Sequence, residues 1–307
     1  MNILITGVAG FIGSSLAEEL LNTTDNIIIG LDNMYNGSEE RLSILSSFKN
    51  FRFYPADIRD YEAIQNIIYE NSIDGIYHLA GIVSVQESIR NPLFTGMINV
   101  QGTLNILEAA RQNHVKRIVF SSSAAVYGND LTLPKDETSP TNPISPYGCE
   151  KLLGEHYMKL YTELYKLETV SLRYFNVYGK GQNSSSDYSG VISKFKANFL
   201  QNQTSNIYGD GNQYRDFISI KDVVLANILA MNTANIGGEI LCLGTSQATT
   251  INTVFTMLNQ KHNQTFSPHY LPKPAGDIDA SVCNNTKVKQ MLGIKYFIPF
   301  EEGIMQL

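Results

Sequence analysis

Cysteine is scarce in this 307-residue chain: Cys149, Cys242 and Cys283 stand scattered, with no Cys-x-x-Cys. Such a set suits free thiols in a reducing cytoplasm and argues against a disulfide scaffold or a thiolate zinc site. The five histidines show no ligand spacing, so no metal is expected. His78 ends an apolar run and His114 falls at an expected helix end, and both read as structural. Cys149, near a helix start, is expected to be a plain small residue facing the sheet. No apolar run approaches the roughly eighteen residues of a membrane span, so no membrane partner is expected. Positive charge is also in deficit, 23 Lys and Arg against 29 Asp and Glu. With a net charge of −6 and no basic cluster among aromatics, nucleic acid is not an expected partner. An anionic ligand must then meet a few local cations. MNILITG reads directly as a strand, leaving no signal peptide, and sequons such as that at Asn183 carry no weight.

What is present is an ordinary globular composition, 43% apolar and 17% charged, on a chain long enough to bury a large core. Short apolar runs (ILITG, NIIIGLD, FRFYPAD, GIYHLAG, RIVFSSS, TVSLRYFNVYG) alternate with helical patterns such as FIGSSLAEELL, where Ile12, Leu16 and Leu20 share a face. Helices are expected across 96–113 and 147–166. This rhythm predicts a doubly wound α/β fold, a parallel sheet covered on both faces. Past residue 180 the pattern becomes polar and turn-rich. The expected organisation is a Rossmann-like domain over 1–179, to which 216–236 returns, and a smaller irregular α/β domain over 180–307. The ligand cleft is expected between them, with the four-proline loop 128–146 extended and crossing nearby.

GVAGFIG, residues 7–13, spaces Gly7, Gly10 and Gly13 between the first strand and the first helix. Glycine permits the tight turn and brings backbone amides to a pyrophosphate at the helix's positive end. Asp32 ends the second strand, where a carboxylate accepts the adenosine ribose hydroxyls and repels a 2′-phosphate. No arginine follows immediately in LDNMYNG, so NAD is the expected cofactor, with Asp57 and Ile58 beside its adenine.

SPYGCEK places Tyr147 and Lys151 one helical turn apart, on one face. An ammonium beside a phenol favours the phenolate and makes a general base near neutral pH. Ser123 lies at a strand's carboxyl end, where doubly wound sheets bind ligands. The three groups together can oxidise a carbinol: Tyr147 takes the proton, Ser123 holds the oxygen and Lys151 tunes the tyrosine.

GVAGFIG, DN at 32–33, DIRD, HLAG, NVQGTLNILEAA, SSSAAVYG, YGCEK, RYFNVYG, YGDGNQYRDFI and GDI follow one another in an order that resembles the extended short-chain dehydrogenase/reductases. The resemblance is to their nucleotide-sugar epimerase/dehydratase branch, nearest to UDP-hexose 4-epimerases. It implies Ser123, Tyr147 and Lys151 as the catalytic set. The cofactor would be lined by Gly7, Gly10, Phe11, Ile12, Gly13, Asp32, Asn33, Asp57, Ile58, Leu79, Ala80, Gly81, Asn99, Ser121 and Tyr174. The UDP-sugar would meet Ser84, Asn176, Val191, Tyr208, Lys273, Asp277 and Ser281, with Arg215 on its pyrophosphate. Dehydratases of this branch carry an Asp-Glu pair after the serine; Ala124 and Ala125 stand here, which disfavours dehydration. A lyase or reductase, a UDP-glucuronate 4-epimerase and an NAD-sensing regulatory module are the other readings; the intact Ser/Tyr/Lys set speaks against the last.

Two positions bear on the substrate. Ser281 stands where a bulky tyrosine would exclude an N-acetyl group, which implies tolerance of UDP-N-acetylhexosamines unless the loop is shifted and Ser281 is surface filler. The branch's arginine two residues before the glycine of Gly276-Asp277 is Pro274 here. Either Lys273 replaces it as a point charge or that contact is absent. The resemblance also implies a homodimer formed by paired helices, consistent with the broad apolar face of 150–166.

Overall fold

Apolar runs of four to seven residues become the central sheet in a computed structural model, which describes residues 1–182, 190–273, 278 and 280–307. Strands β1 (Asn2–Thr6), β2 (Ile27–Asp32), β3 (Phe51–Pro55), β4 (Gly75–His78), β5 (Arg117–Ser123) and β6 (Glu168–Tyr174) are joined by a seventh, Glu239–Leu243. Their order is Glu239–Leu243, β6, β5, β4, β1, β2, β3, and every pairing is parallel. The order reverses between β1 and β4, which opens a crevice at the carboxyl ends of these strands. The doubly wound α/β expectation holds.

Helix α1 (Phe11–Thr23) buries Leu16, Ala17, Leu20 and Leu21 on one face of the sheet, together with the helix Ile220–Asn232. Each of these leucine side chains contributes about 1.5–3 kcal/mol when withdrawn from water. Glu239–Leu243 lies just beyond the segment expected to return to the sheet, and pairs with β6 because its apolar residues meet an open edge. Residues 286–297 also close onto this first core, through Val288, Leu292, Ile294 and Phe297. On the other face lie the helices Tyr61–Glu70, Thr103–Gln112 and Pro146–Tyr165.

The helix expected over 96–113 is interrupted. Pro92–Gly96 runs into a π-helical turn, Met97–Gly102, before Thr103–Gln112. π-turns of this kind commonly re-aim a side chain at a functional site; here the side chain is Asn99. Cys149 also departs from expectation and is exposed. On its helix the inward positions are Tyr147, Gly148, Glu150, Lys151, Gly154, Glu155 and Met158, and Cys149 falls outside that arc.

A second core collects aromatic side chains, Phe195, Phe199, Phe217, Phe255 and Phe300, around the helices Val191–Leu200 and Ile251–Lys261. Phe255 meets Phe195 and Phe199 edge-on, at 5.5 and 5.2 Å between ring centres, the favoured aromatic geometry. Beside it sit very short strands, among them Tyr214–Arg215 between Thr249–Thr250 and Ala280–Ser281. The four-proline loop does not border the cleft. Its Lys135 pairs with Val282 and Asn284 (N–H···O 2.8 and 2.7 Å), because the backbone beyond Ala280–Ser281 offers free ladder groups. No helix is long and apolar enough to cross a membrane among the described residues.

Candidate functional site

The crevice widens into a cleft of about 1160 Å³ that runs from the glycine turn to Arg215. At its first end Gly7 adopts φ +72°, and a Cβ there would stand 2.8 Å from the Ala80 nitrogen. A Cβ on Gly13 would lie 2.1 Å from the Gly7 oxygen. The turn therefore closes only with glycine, and leaves the backbone of 7–13 bare toward the cleft at the amino end of α1. Gly10 caps that helix without a side chain, so the first helical amides face the cleft.

Asp32 closes the next wall. Its oxygens accept from the Ala9 and Met34 amides at 3.0 and 2.8 Å, while burial pushes its carboxyl up. Asn33 donates to Asp57 at 2.8 Å. The Arg59 guanidinium forks onto the same carboxylate at 2.9 and 2.8 Å and holds it down to about 2. Phe11, Ile12, Asn33, Ile58, Leu79, Ala80 and Gly81 complete this end.

Tyr147 and Lys151 stand mid-cleft, on a helix started by Ser145 and Pro146. The Ser145 hydroxyl accepts from the Gly148 amide at 3.1 Å, a side-chain N-cap. The Tyr147 amide donates to Ser88 at 3.1 Å. Ser123 and Tyr147 line the same cleft, and the Ser123 hydroxyl, which accepts from the Ala125 amide at 3.2 Å, acts to lower the phenol's pKa. Lys151 Nζ donates to the Ser121 carbonyl at 2.8 Å and lies 4.9 Å from the centre of the Phe120 ring. The expected depression of the tyrosine by the lysine is not found. Burial pushes the Tyr147 phenol up to about 12, against the lowering influence of the Ser123 hydroxyl and with the Glu150 carboxylate adding to the rise. The ammonium is 5.9 Å from the Tyr147 ring centre and is itself pushed down to about 8 by burial. Desolvation outweighs the pair's mutual influence in this wall.

At the far end the lining comprises Tyr174, Asn176, Val191, Tyr208 and Arg215. The Tyr174 hydroxyl donates to Asn227 at 2.9 Å. Arg215 Nη1 donates to the Tyr214 carbonyl at 3.1 Å.

Several predicted residues do not line the cleft. Ser84 caps the helix Val85–Arg90, its hydroxyl accepting from the Glu87 amide at 2.9 Å. Asn99 lies behind the wall and clamps Ile82 by accepting from its amide (2.8 Å) and donating to its carbonyl (2.9 Å). Ser281 is buried in a strand paired residue for residue with Arg215, neither a gate in the cleft nor surface filler. Lys273 is exposed and neighbours Gly209 and Asp210. Asp277 and Pro274 fall outside the described residues.

Sequence reasoning missed Arg41. It sits in the first turn of the Ser38-capped helix Glu39–Ser46, half-buried, lining the cleft beside Asp32 and Asn33. Its guanidinium reaches the Gly181 side of the mouth and has no hydrogen-bond partner among the described residues. The available signal was Ser38 with Glu39 and Glu40 ahead of Arg41, a helix start just past Asp32. His78 is confirmed as structural. Thr6 Oγ1 already accepts from Leu79 and Ala80 and so donates to His78 Nδ1, while Thr103 Oγ1 donates to the Asn99 carbonyl and so accepts from Nε2. Burial pushes this imidazole down to about 3.

With this geometry in view, known proteins of the same kind can be compared. Residues 3–244 match the model of the NAD dependent epimerase/dehydratase family. The chain is 35% identical over 305 residues to the UDP-glucose 4-epimerase of Mycolicibacterium smegmatis, spanning 99% of this chain and 96% of that protein. It is similar to the crystal structure of the Thermotoga maritima UDP-glucose 4-epimerase with UDP-glucose (TM-score 0.94, 35% identity, 100% and 97% of the two chains). It is also similar to the UDP-N-acetylglucosamine 4-epimerase of Methanobrevibacter ruminantium M1 in complex with UDP-N-acetylmuramic acid (TM-score 0.93, 33% identity, 99% and 96%). Sheet order, glycine turn and family match agree: this chain belongs to the NAD dependent epimerase/dehydratase family.

Proposed function

We propose that the protein epimerises nucleotide sugars at carbon 4, acting on UDP-hexoses and their N-acetyl forms through a transient 4-keto sugar. The observation that carries the reading is that Ser123, Tyr147 and Lys151 line one cleft together with the glycine turn and Arg215. The bare backbone of 7–13, whose turn a Cβ at Gly13 would force open against the Gly7 oxygen, fits a dinucleotide pyrophosphate. Asp32 and Asn33 would hold the adenosine ribose, Asp57 and Ile58 the adenine, and Lys151 the nicotinamide ribose. NAD supplies a reversible hydride acceptor when bound.

Tyr147 removes the carbon-4 hydroxyl proton and Ser123 holds that oxygen. Cofactor charge brought near the phenol lowers its pKa from the high value that burial sets. Arg215 would take the substrate's pyrophosphate with Asn176 and Val191 beside it, so the part built on 180–307 would anchor the nucleotide while the sugar turns over. Ala124 and Ala125 supply neither acid nor base for elimination. N-acetyl tolerance rests on the similarity to the M. ruminantium enzyme, since Ser281 does not reach the cleft.

The protein would act as a homodimer in a reducing cytoplasm. Ile89, Leu93 and Met97 are exposed beside Leu153, Leu160 and Leu164 of the helix Pro146–Tyr165, an apolar face for the same face of a second copy. All three cysteines are free thiols. The deciding experiment offers UDP-glucose, UDP-N-acetylglucosamine and UDP-glucuronate separately to the purified protein, with and without added NAD. Carbon-4 epimers of the first two are expected; no change at carbon 4 in any would end the reading.

A further inference from the structure

Glu150 lies within the Tyr147–Lys151 turn, yet the residue is only 7% exposed. A carboxylate withdrawn this far from water persists where donors and opposite charge meet it. Thr95 donates to one oxygen at 2.7 Å and Asn99 Nδ2 to the other at 2.6 Å. That same Asn99 amide clamps both backbone groups of Ile82, which lines the cleft. Gly81 is pinched alongside: a Cβ there would lie 2.8 Å from Asn99 Oδ1 and 3.7 Å from Lys151 Nζ.

Resting on the epimerase reading, we propose that Glu150 is a positioning residue of the reaction. Through Asn99 it locks the Gly81–Ile82 backbone against the Tyr147–Lys151 turn, and it sets a carboxyl group into the turn that carries both side chains. A nearby carboxylate disfavours a phenolate and favours an ammonium, and Glu150 acts in this sense on both neighbours. Glu155 adds to the effect on Lys151, but its own oxygens are taken by Ser122 and Arg173. His78, on β4, is held neutral. Other charges on the elements packed against this helix are paired elsewhere: Glu87 with Arg90, Glu108 with Arg111, and Arg117 with Glu168. Among the described residues, Glu150 alone weighs on both Tyr147 and Lys151.

Glu150→Gln keeps the shape and removes the charge. Both limbs of the pH profile of kcat/KM should move to lower pH by about one unit, since the base needs its phenolate and the lysine its ammonium. Glu150→Asp keeps the charge with a shorter reach, so the limbs should stay near their original pH while kcat falls. Ultraviolet difference titration of the NAD-loaded protein against its Tyr147→Phe counterpart reads the phenol without turnover. Its ionisation should move to lower pH in Glu150→Gln. A lower rate with unmoved limbs and an unmoved phenol titration would leave Glu150 a packing residue and overturn the proposal. If the parent protein is inert on all three nucleotide sugars, the epimerase reading fails, and the phenol titration still decides Glu150.

Discussion

The two ends of the cleft are built in different ways. The glycine end rests on β1, α1 and β2, with five- and six-residue strands and a turn in which Gly13 packs on Gly7 within seven consecutive residues. The Arg215 end rests on two- and three-residue strands backed by a phenylalanine core, and its residues come from segments tens of positions apart. Local rules write the first end into the chain. The second exists only when Tyr214–Arg215 is held between Thr249–Thr250 and Ala280–Ser281. One consequence is separability: the glycine end should govern cofactor affinity, the Arg215 end substrate affinity, and Tyr147 the chemistry where they meet.

The sharpest way to break this division is at its midpoint. Tyr147→Phe should lower kcat by about 10²–10⁴-fold, the range of a lost general base, with NAD and UDP affinities unchanged by calorimetry. Gly13→Ala attacks the glycine end. A Cβ 2.1 Å from the Gly7 oxygen cannot be accommodated without moving the turn, so NAD binding should be abolished and stability should fall by about 1–3 kcal/mol, read from urea unfolding. Arg215→Ala should raise the Kd for UDP about 10- to 100-fold, as for a lost hydrogen bond to a charged group, and leave NAD affinity alone. Arg41→Ala tests the reverse: a several-fold rise in the Kd for NAD, smaller at high salt, with no change for UDP. If both arginine variants weaken both ligands, the two ends are not independent.

The smallest expected effect concerns His78, buried behind the glycine end between Thr6 and Thr103. Its folded pKa is depressed to about 3 from an ordinary value near ~6.5. The unfolded chain therefore binds the proton first. The contribution of His78 to stability is complete above the unfolded value and declines as pH falls from there toward 3. Between about pH 6.5 and 5, before ordinary carboxylates titrate, the urea midpoint should fall. Nitrogen-15 spectra of the ring should show a neutral imidazole with its proton on Nε2 throughout that interval.

How far the site was legible follows the same division. Gly7, Gly13 and Asp32 could be placed because spacing on a strand–turn–helix determines where they point. Tyr147 and Lys151 could be placed on one helical face for the same reason, but not their ionisation, because burial depends on what packs over them. Arg41 was missed because it reaches the cleft from a helix that chain order puts outside LDNMYNG. Glu150 was missed because sequence does not say which charged positions of a helix turn inward. The four-proline loop and Ser281 were both misplaced relative to the cleft, since each takes its position from pairing partners far away in the chain.

By itself the amino-acid sequence determined the parallel α/β architecture and the dinucleotide turn, and put Tyr147 and Lys151 on one helical face with Ser123 at a strand's end, because strand and helix periods and glycine sterics act over a few residues. Tertiary structure alone decided that Ser281 and Asn99 stand behind the wall, that Arg41 joins it, and that Tyr147 is pushed up in pKa. Those outcomes depend on desolvation and on donors arriving from distant segments, and neither is encoded in any local stretch of chain.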